Sequence, residues 1–249
     1  MMKSLIAAAL TVATLTAEAG VIRIDAGSFT PEAGLITFSE FALGTQNPTY
    51  NPGDYGADPD APVVTFGGFF SGQSLGGVAD CPIGAALSGC VIGTPSAGLS
   101  LDVLAPKTFV TNDGANPTSP VLSGAPLFNG PVSILFSKDV AGVGLDGGYF
   151  NAIGGTAITA FDRAGNIIGQ VLNEALGIEF LGLVTDDNTN LIAGLQFSLV
   201  GAEPAGFAID NLRFGFADQI VVSVPEPGTL ALLGLGLVAL PLARRRKAA

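Results

Sequence analysis

The chain has 249 residues, of which 48% are hydrophobic, 35 are glycine and 16 are proline. This apolar content argues against a disordered chain, and the turn-forming residues are typical of short strands joined by tight turns. Between Gly20 and Val224 five basic residues stand against nineteen acidic ones, a net charge of −14, which argues against nucleic acid as a partner. The sequence has no histidine, which excludes Ser-His-Asp and Cys-His catalysis and histidine-based zinc sites.

Residues 1–19 have the pattern of a secretory signal peptide. Lys3 supplies a positive n-region, and an apolar stretch follows from Leu5 to Leu15. Ala17 and Ala19 form a small-x-small cleavage site, so we predict a mature chain that begins with the next residue. A buried N-terminal helix is the alternative interpretation, since the segment is short for a membrane span.

Residues 20–222 are predicted to form one all-β domain. Short β-rich runs alternate with turn signals, and no long stretch has helical periodicity, which is typical of an antiparallel β-sandwich or jelly roll. In the last run, Phe207 and Ile209 have one parity and Leu212 and Phe214 the other, which predicts a β-bulge at Asp210-Asn211. The predicted strands are Val21–Asp25, Leu35–Phe41, Val63–Phe66, Leu99–Val103, Val132–Ser137, Ala157–Asp162, Ile167–Leu172, Ile178–Val184, Leu191–Val200 and Phe207–Phe216.

The loop from Asn47 to Asp60 combines two tyrosines, Tyr50 and Tyr55, with three aspartates. Aromatic rings beside carboxylates are one way in which proteins bind sugars. The spacing of the aspartates does not match an EF-hand, and an ordinary solvated loop is the alternative.

Cys81 and Cys90 are the two cysteines of the chain, in a glycine-rich stretch. In an exported protein their spacing predicts one local disulfide, which would stabilise the fold by roughly 2–3 kcal/mol in the chain-entropy model. Metal binding by two lone thiols is the alternative.

Carboxylate pairs are the catalytic device that a chain without histidine retains, as in glycosidases. Nineteen acidic residues always allow some pair at a workable separation, so their number is not evidence for catalysis. The run Gly142–Gly148 lacks the Gly-Lys-Ser/Thr of a phosphate-binding loop and is interpreted as turns. We therefore predict a protein that is not an enzyme, with a secreted carboxylate-dependent hydrolase as an alternative.

Residues 130–216 contain a predicted hairpin, Phe161-Asp-Arg-Ala-Gly-Asn-Ile-Ile-Gly, and then a series of closing strands that ends in Ile209-Asp-Asn-Leu. These strands resemble those of lectin-like jelly rolls, and Ile36-Thr-Phe-Ser-Glu-Phe is similar to the first core strand of such folds. The resemblance implies a structural calcium ion held by Glu40, Asp210 and Asn211, whose oxygen atoms suit a hard cation. The alternative is that Asp210 and Asn211 only satisfy backbone groups at a turn.

Residues 223–249 contain Pro225-Glu226-Pro227, then sixteen uncharged residues from Gly228 to Ala243, and a basic end. As a helix the apolar segment would be about 24 Å long, less than a hydrocarbon core of about 30 Å, and the basic end places its terminus in the cytoplasm. The basic end consists of Arg244, Arg245, Arg246 and Lys247.

The order of motif, apolar helix and basic end closely resembles the PEP-CTERM sorting signal. That resemblance implies processing by an exosortase near Pro225-Glu226-Pro227, with transient anchoring in the inner membrane before transfer to the cell surface. A simple C-terminal anchor with a proline-rich hinge is the alternative.

We therefore expect an exported, non-enzymatic surface or extracellular-matrix protein that is associated with exopolysaccharide. A calcium-assisted carbohydrate-binding module is the main alternative function.

Overall fold

A computed structural model describes residues 20–204 and 207–222, which form fifteen β-strands and four short 3-10 helices. The strands are β1 (Val21–Arg23), β2 (Gly34–Ile36), β3 (Thr49–Tyr50), β4 (Val64–Gly67), β5 (Ser74–Leu75), β6 (Val91–Ile92), β7 (Thr108–Asp113), β8 (Asn116–Gly124), β9 (Val132–Val140), β10 (Gly142–Phe150), β11 (Thr156–Phe161), β12 (Ile167–Leu172), β13 (Gly177–Thr185), β14 (Ile192–Leu199) and β15 (Ala208–Gly215). The 3-10 helices are Ala26–Ser28, Pro52–Tyr55, Leu87–Gly89 and Ala217–Gln219.

The strands form two large antiparallel sheets. One sheet of seven strands has the order β1-β13-β10-β15-β8-β7, with β2 also paired to β15. The other sheet of six strands has the order β12-β11-β14-β9-β4-β3, and β5 and β6 form a small separate ribbon. The prediction of an all-β, antiparallel body is thus confirmed.

The main hydrophobic core contains side chains from both large sheets. In β9 the alternating residues Val132, Ile134 and Phe136 are fully buried in this core, as their parity predicts. Val143 and Leu145 of β10 join the same core from the seven-stranded sheet. Burial of each such side chain contributes about 1.5–3 kcal/mol relative to exposure, so this core is the main source of stability.

The run Gly142–Gly148 is a central strand, not turns, and this interpretation was wrong for a packing reason. It forms most of β10, which is hydrogen-bonded to both β13 and β15. A Cβ added to Gly142 would lie 2.3 Å from a side-chain atom of Ile220, and one added to Gly144 would lie 2.4 Å from the ring of Phe180. The glycines leave room for side chains that cover the outer face of the sheet, so the strand shows no alternation of polar and apolar residues.

The predicted strand Leu99–Val103 is also wrong. Leu101 makes an isolated bridge to Phe70, while Leu99 is buried with Phe70 and Phe161 in a small separate cluster. The apolar residues of this run therefore pack as part of a long segment, residues 68–107, on the six-stranded sheet.

Polar contacts hold this covering segment against the outer face of the sheet. The side-chain amides of Gln73 and Gln196 bond to each other in both directions, with N–O distances of 3.3 and 2.8 Å. Ser133 of β9 accepts a further bond from Gln196 and donates one to the carbonyl of Gly68. All three side chains are buried, so each bond satisfies a group that water does not reach.

A second, smaller core lies on the outer face of the seven-stranded sheet. Residues 24–33 and 217–222 fold over this face and are joined by an isolated bridge between Phe29 and Ile220. The buried members of this core are Ile24, Phe29, Ala141, Val184 and Ile220.

Both ends of the described body lie at one end of the sandwich. The carbonyl of Gly20 accepts a bond of 3.0 Å from the amide of Asp186, directly after β13, and Val222 lines a hollow together with residues of β1. We call this the tail end. The antiparallel strands β10 and β13 connect it with the opposite end, the far end, which carries the loops of residues 151–155 and 173–176.

Candidate functional site

The predicted β-bulge at Asp210-Asn211 is present in β15. Asp146 of β10 pairs with Asp210 and Gly144 pairs with Arg213, so two residues of β15 lie opposite Leu145 alone. Asn211 has a φ of 46°, in the left-handed region that asparagine tolerates better than most residues. The bulge locally changes the course of the strand, and Asp210 and Asn211 both line a recess on this sheet.

This recess has a volume of about 70 Å³ and is lined mainly by carboxylates, amides and small residues. Its polar side chains are connected by hydrogen bonds. The Asn116 amide donates to Asp210 Oδ2 at 2.6 Å, and the Asn211 amide donates to Asp146 Oδ2 at 2.8 Å. Asp113, the last residue of β7, also lines the recess.

Asp210 is the most buried carboxylate of the recess, with 3% of its surface exposed. This burial raises the pKa of its carboxyl, and the charge of Asp146 raises it further. Hydrogen bonds from the backbone amide of Asn211, at 2.7 Å, and from Asn116 oppose the shift. Two carboxylates in direct cross-strand register therefore share a small polar site in which one of them is desolvated.

The recess continues into an apolar surface at the far end. Gly148 and Ile178 line it, and Ile178 is 49% exposed. Tyr149 follows Gly148 in the chain, is 51% exposed, and its ring lies next to Gly177, where an added Cβ would be 3.7 Å away. Polar and exposed apolar groups thus adjoin on one surface, an arrangement that suits ligands with both hydroxyl groups and apolar faces.

The structure brings Asp210 and Asn211 together, but Glu40 does not line their recess. One oxygen of Glu40 accepts bonds from the amide and the hydroxyl of Thr37, at 3.0 and 2.8 Å. Among residues 20–204 and 207–222, no three acidic or cysteine side chains are grouped closely enough to hold a metal. Calcium binding by Glu40, Asp210 and Asn211 stays a prediction.

The tyrosines of the loop from residue 47 to 60 point inward instead of presenting a surface for sugars. Tyr50 is fully buried and packs edge-on against Phe41, with ring centroids 4.7 Å apart. Tyr55 packs against Phe214 and donates its hydroxyl to the carbonyl of Pro62. Burial raises the pKa of both phenols, and their rings serve the core.

The predicted disulfide between Cys81 and Cys90 is present, with Cα atoms 6.1 Å apart. It closes a loop that lies at the far end, where the amide of Ala86 donates to the carbonyl of Glu203 at 2.8 Å. Because both sulfurs are in the bond, these cysteines do not form a thiolate metal site.

The residues of the two terminal signals lie outside the described residues. These are Ala17 and Ala19, the motif Pro225-Glu226-Pro227, and the basic residues Arg244 to Lys247. In the part of the chain that the structure does describe, no helix has the length and apolar character needed to cross a membrane.

Asp146 and Asn116 are members of the recess that the sequence did not reveal. Asp146 lies in the glycine-rich run of β10, and Asn116 is the first residue of β8. The one local signal for the site is the parity change at Asp210-Asn211, because the cross-strand pairing that adds the other two side chains is not a local property.

Comparisons with known proteins bear mainly on the C-terminal segment. The family profile for the PEP-CTERM protein-sorting motif matches residues 223–247. No curated protein matches the chain. Among solved structures, the enzymatically active domain of bacteriophage CBA120 tailspike protein 4 is 14% identical and covers 72% of this chain. This chain covers 20% of that domain, and the TM-score of 0.23 carries no argument about fold or function. The chain is thus a protein with a PEP-CTERM sorting motif at residues 223–247, behind a body of antiparallel β-sheets.

Proposed function

We propose that the protein is a non-enzymatic component of the cell surface or extracellular matrix, associated with exopolysaccharide. The observation that carries this proposal is the PEP-CTERM motif, which indicates an exported protein that an exosortase processes. The pattern of residues 1–19 supports removal of a signal peptide at Ala19, and the segment Gly228–Ala243 supports a temporary hold in the inner membrane.

The strand order supports a jelly roll as the fold of the body. Strands β8, β15, β10 and β13 are neighbours in one sheet, and β9, β14, β11 and β12 are neighbours in the other. From β8 to β15 the chain crosses between the sheets at every connection except the β11–β12 hairpin. Eight strands wrapped in this way over two sheets form the jelly-roll arrangement, which lectin domains use.

The charge of the body supports an extracellular role without a nucleic acid or an anionic membrane as partner. Five basic residues stand against nineteen acidic ones between Gly20 and Val224, and cleavage near Pro225-Glu226-Pro227 would remove four more basic residues. A released domain with a net charge of −14 would stay soluble within a hydrated polymer layer.

Replacement of Pro225-Glu226-Pro227 by three alanines tests the processing step. In the producing cells we expect the wild-type body without its C-terminal tail at the surface, and the variant with body and tail on one inner-membrane species. Antibodies against the body and against the Arg244–Lys247 end, applied to cell fractions, distinguish the two forms. Pro241→Ala, in the same segment but outside the motif, is the matched control and should be processed. Full-length wild-type protein held in the inner membrane would contradict the proposal.

A calcium-assisted carbohydrate-binding module is the second candidate, which the polar recess at Asp210 and Asn211 favours. Calorimetric titration of the protein with Ca²⁺ tests the metal, with Asp210→Ala as the control. A heat of Ca²⁺ binding that is present in the wild-type protein and absent in this variant would support calcium assistance. If the wild-type protein gave no heat of binding, calcium assistance would be contradicted.

A further inference from the structure

The tail end of the body adjoins the C-terminal segment, which the proposed function places temporarily in the inner membrane. Val222 is the last described residue, and Pro225 follows it by three positions, a span of at most about 11 Å of extended chain. β10 has nine residues and extends from the tail end to the far end. The far end is therefore about 26 Å further than the tail end from the place where the chain leaves the body. Under the proposed function, the far end is therefore the part of the tethered body that is most distant from its membrane attachment.

The far end also carries a group of large exposed apolar side chains, which we call the far rim. The exposed fractions range from 40% for Leu172 to 66% for Ile153. The rim is continuous across three segments, because the ring of Tyr149 lies beside Gly177 and the side chain of Leu172 lies beside Gly154. Exposed apolar groups gathered on one surface mark interaction sites more often than scattered ones do. The members of the far rim are Tyr149, Ile153, Leu172, Leu176 and Ile178.

The polar recess adjoins this rim through Ile178. Beside the apolar side chains it presents the carboxylates of Asp146 and Asp210 and the amides of Asn116 and Asn211. Carboxylate and amide oxygens accept hydrogen bonds from hydroxyl or ammonium groups, and an exposed phenol ring packs on the CH face of a sugar ring. The two neighbouring surfaces together match the two kinds of surface that a sugar presents.

Charge selects among the ligands that would fit. Three aspartates and no basic residue line the recess, and the body around it has a net charge of −14. A second copy of the chain, an anionic lipid surface and a uronic-acid polymer all bring negative charge to this acidic surface, which opposes their approach. Neutral sugars have no such penalty, and amino sugars add an attractive ammonium group.

We propose that the far rim and the adjoining recess bind a carbohydrate chain of neutral or amino sugars, with a sugar ring on Tyr149 and its hydroxyl or ammonium groups on Asp146 and Asn211. The inference rests on the proposed association with exopolysaccharide, and it adds the surface that binds and the chemical class of the polymer.

Calorimetric titration of the protein recovered from its producing cells tests this inference. The probes are hexamers of glucosamine, N-acetylglucosamine and galacturonic acid. We expect binding of the first two, tightest for glucosamine at low salt, and none of the third. Tyr149→Ala should weaken binding at least tenfold for both ligands, while Asp146→Asn should remove the preference for glucosamine. Ile167→Ala is the matched control, because it removes an apolar side chain that is 65% exposed but lies outside the far rim.

Retention of the same variants in the polysaccharide layer of the producing cells separates this inference from the proposed function. Wild-type protein and Ile167→Ala retained in the layer, with Tyr149→Ala released, would support both. Equal retention of all three would overturn the far rim as the binding surface and leave the function standing. Loss of the wild-type protein from the layer would overturn the function itself. Binding of galacturonic acid as tight as that of glucosamine would overturn the assigned polymer class.

Discussion

Asp146 and Asp210 lie directly opposite each other on neighbouring strands, although like charges in cross-strand register are destabilising. Two features reduce this cost. The amides of Asn116 and Asn211 donate to these carboxylates, and the raised pKa of Asp210 means that the pair begins to lose charge at a higher pH than two ordinary aspartates would. A site of this kind stores an electrostatic penalty that a ligand bearing hydrogen-bond donors would relieve.

The raised pKa of Asp210 predicts a specific pH dependence of stability. In the window between its unfolded pKa, near 3.8, and its higher folded pKa, the native state binds more protons than the unfolded state. The contribution of Asp210 to the free energy of unfolding therefore falls as the pH rises through that window. We expect this fall to disappear in Asp210→Asn and the window to narrow in Asp146→Asn, because the second change removes the neighbouring charge.

Urea unfolding at a series of pH values measures this effect, and Asp187 provides a control of opposite sign. Asp187 is exposed, and a hydrogen bond of 2.7 Å from the hydroxyl of Thr189 lowers its pKa. Its stabilising contribution is present above the unfolded pKa and is lost as the pH falls through the folded pKa. For each variant, the measured quantity is the difference in free energy of unfolding from the wild-type protein as a function of pH. If this difference had the same pH slope in Asp210→Asn and Asp187→Asn, the prediction would be contradicted.

At the scale of single elements, β10 connects the candidate site to the rest of the fold. Val143 and Leu145 face the main core, while Gly144 leaves space for the ring of Phe180 on the opposite face. Asp146 follows on that opposite face. There the cover formed by residues 24–33 and 217–222 ends and the recess begins. The strand is thus covered near the tail end and accessible near the far end.

Gly144→Ala is expected to destabilise the protein by about 1–3 kcal/mol through overpacking. The added Cβ would lie 2.4 Å from the ring of Phe180 and 3.0 Å from backbone atoms of β13, and a strand in the middle of the sheet cannot move away from both. Gly114→Ala, in the turn between β7 and β8, is the matched control, since no atom lies within 4 Å of its added Cβ. Urea denaturation compares the two. Equal free energies of unfolding would show that the outer layer over β10 is loosely packed.

The same elements show how far the sequence can predict this fold. Alternation identified β9, and the parity change located the bulge in β15, because in both strands one face is apolar and belongs to the core. β10 was missed because its outer face is also buried, under the second core. Its glycines leave the space that the side chains of this core occupy, so the strand has no polar face. β8 was missed because Pro117 and Pro120 interrupt its pattern of polar and apolar residues. Proline has no N–H group to donate to a neighbouring strand, and β8 tolerates the two prolines because its pairing with β15 has one registered residue pair.

The composition of the recess was predictable only in part for a related reason. The parity change in the sequence predicts the bulge at Asp210 and Asn211. Asp146 and Asn116 come to lie beside them through contacts between segments that are distant in the sequence. Such pairings depend on which strands become neighbours, and that order is a property of the whole sandwich. Glu40 was assigned through resemblance alone, and its carboxylate bonds to Thr37 in its own segment.

At the scale of the whole molecule, the described body has two unlike ends. The segment that matches the sorting motif, residues 223–247, begins directly after Val222 at the tail end, and the exposed apolar side chains of the far rim lie at the other end. This polarity follows from the strand pairing, because β1 and the segment after β15 both lie beside the same ends of β10 and β13. A domain of this shape would present the far rim outward while it is tethered and keep it accessible after release.

Distances between spin labels test this polarity directly. A pair at Asp25→Cys and Val221→Cys should be separated by well under about 20 Å, because both residues line the same hollow at the tail end. A pair at Ile153→Cys and Val221→Cys should be separated by about 26 Å or more, the length of the nine-residue strand β10 between the two ends. Ile153 and Val221 are 66% and 67% exposed, so the substitutions should leave the fold intact. If both pairs gave the same distance, the termini and the far rim would not lie at opposite ends, and the orientation that directs the rim toward the extracellular polymer would have no structural basis.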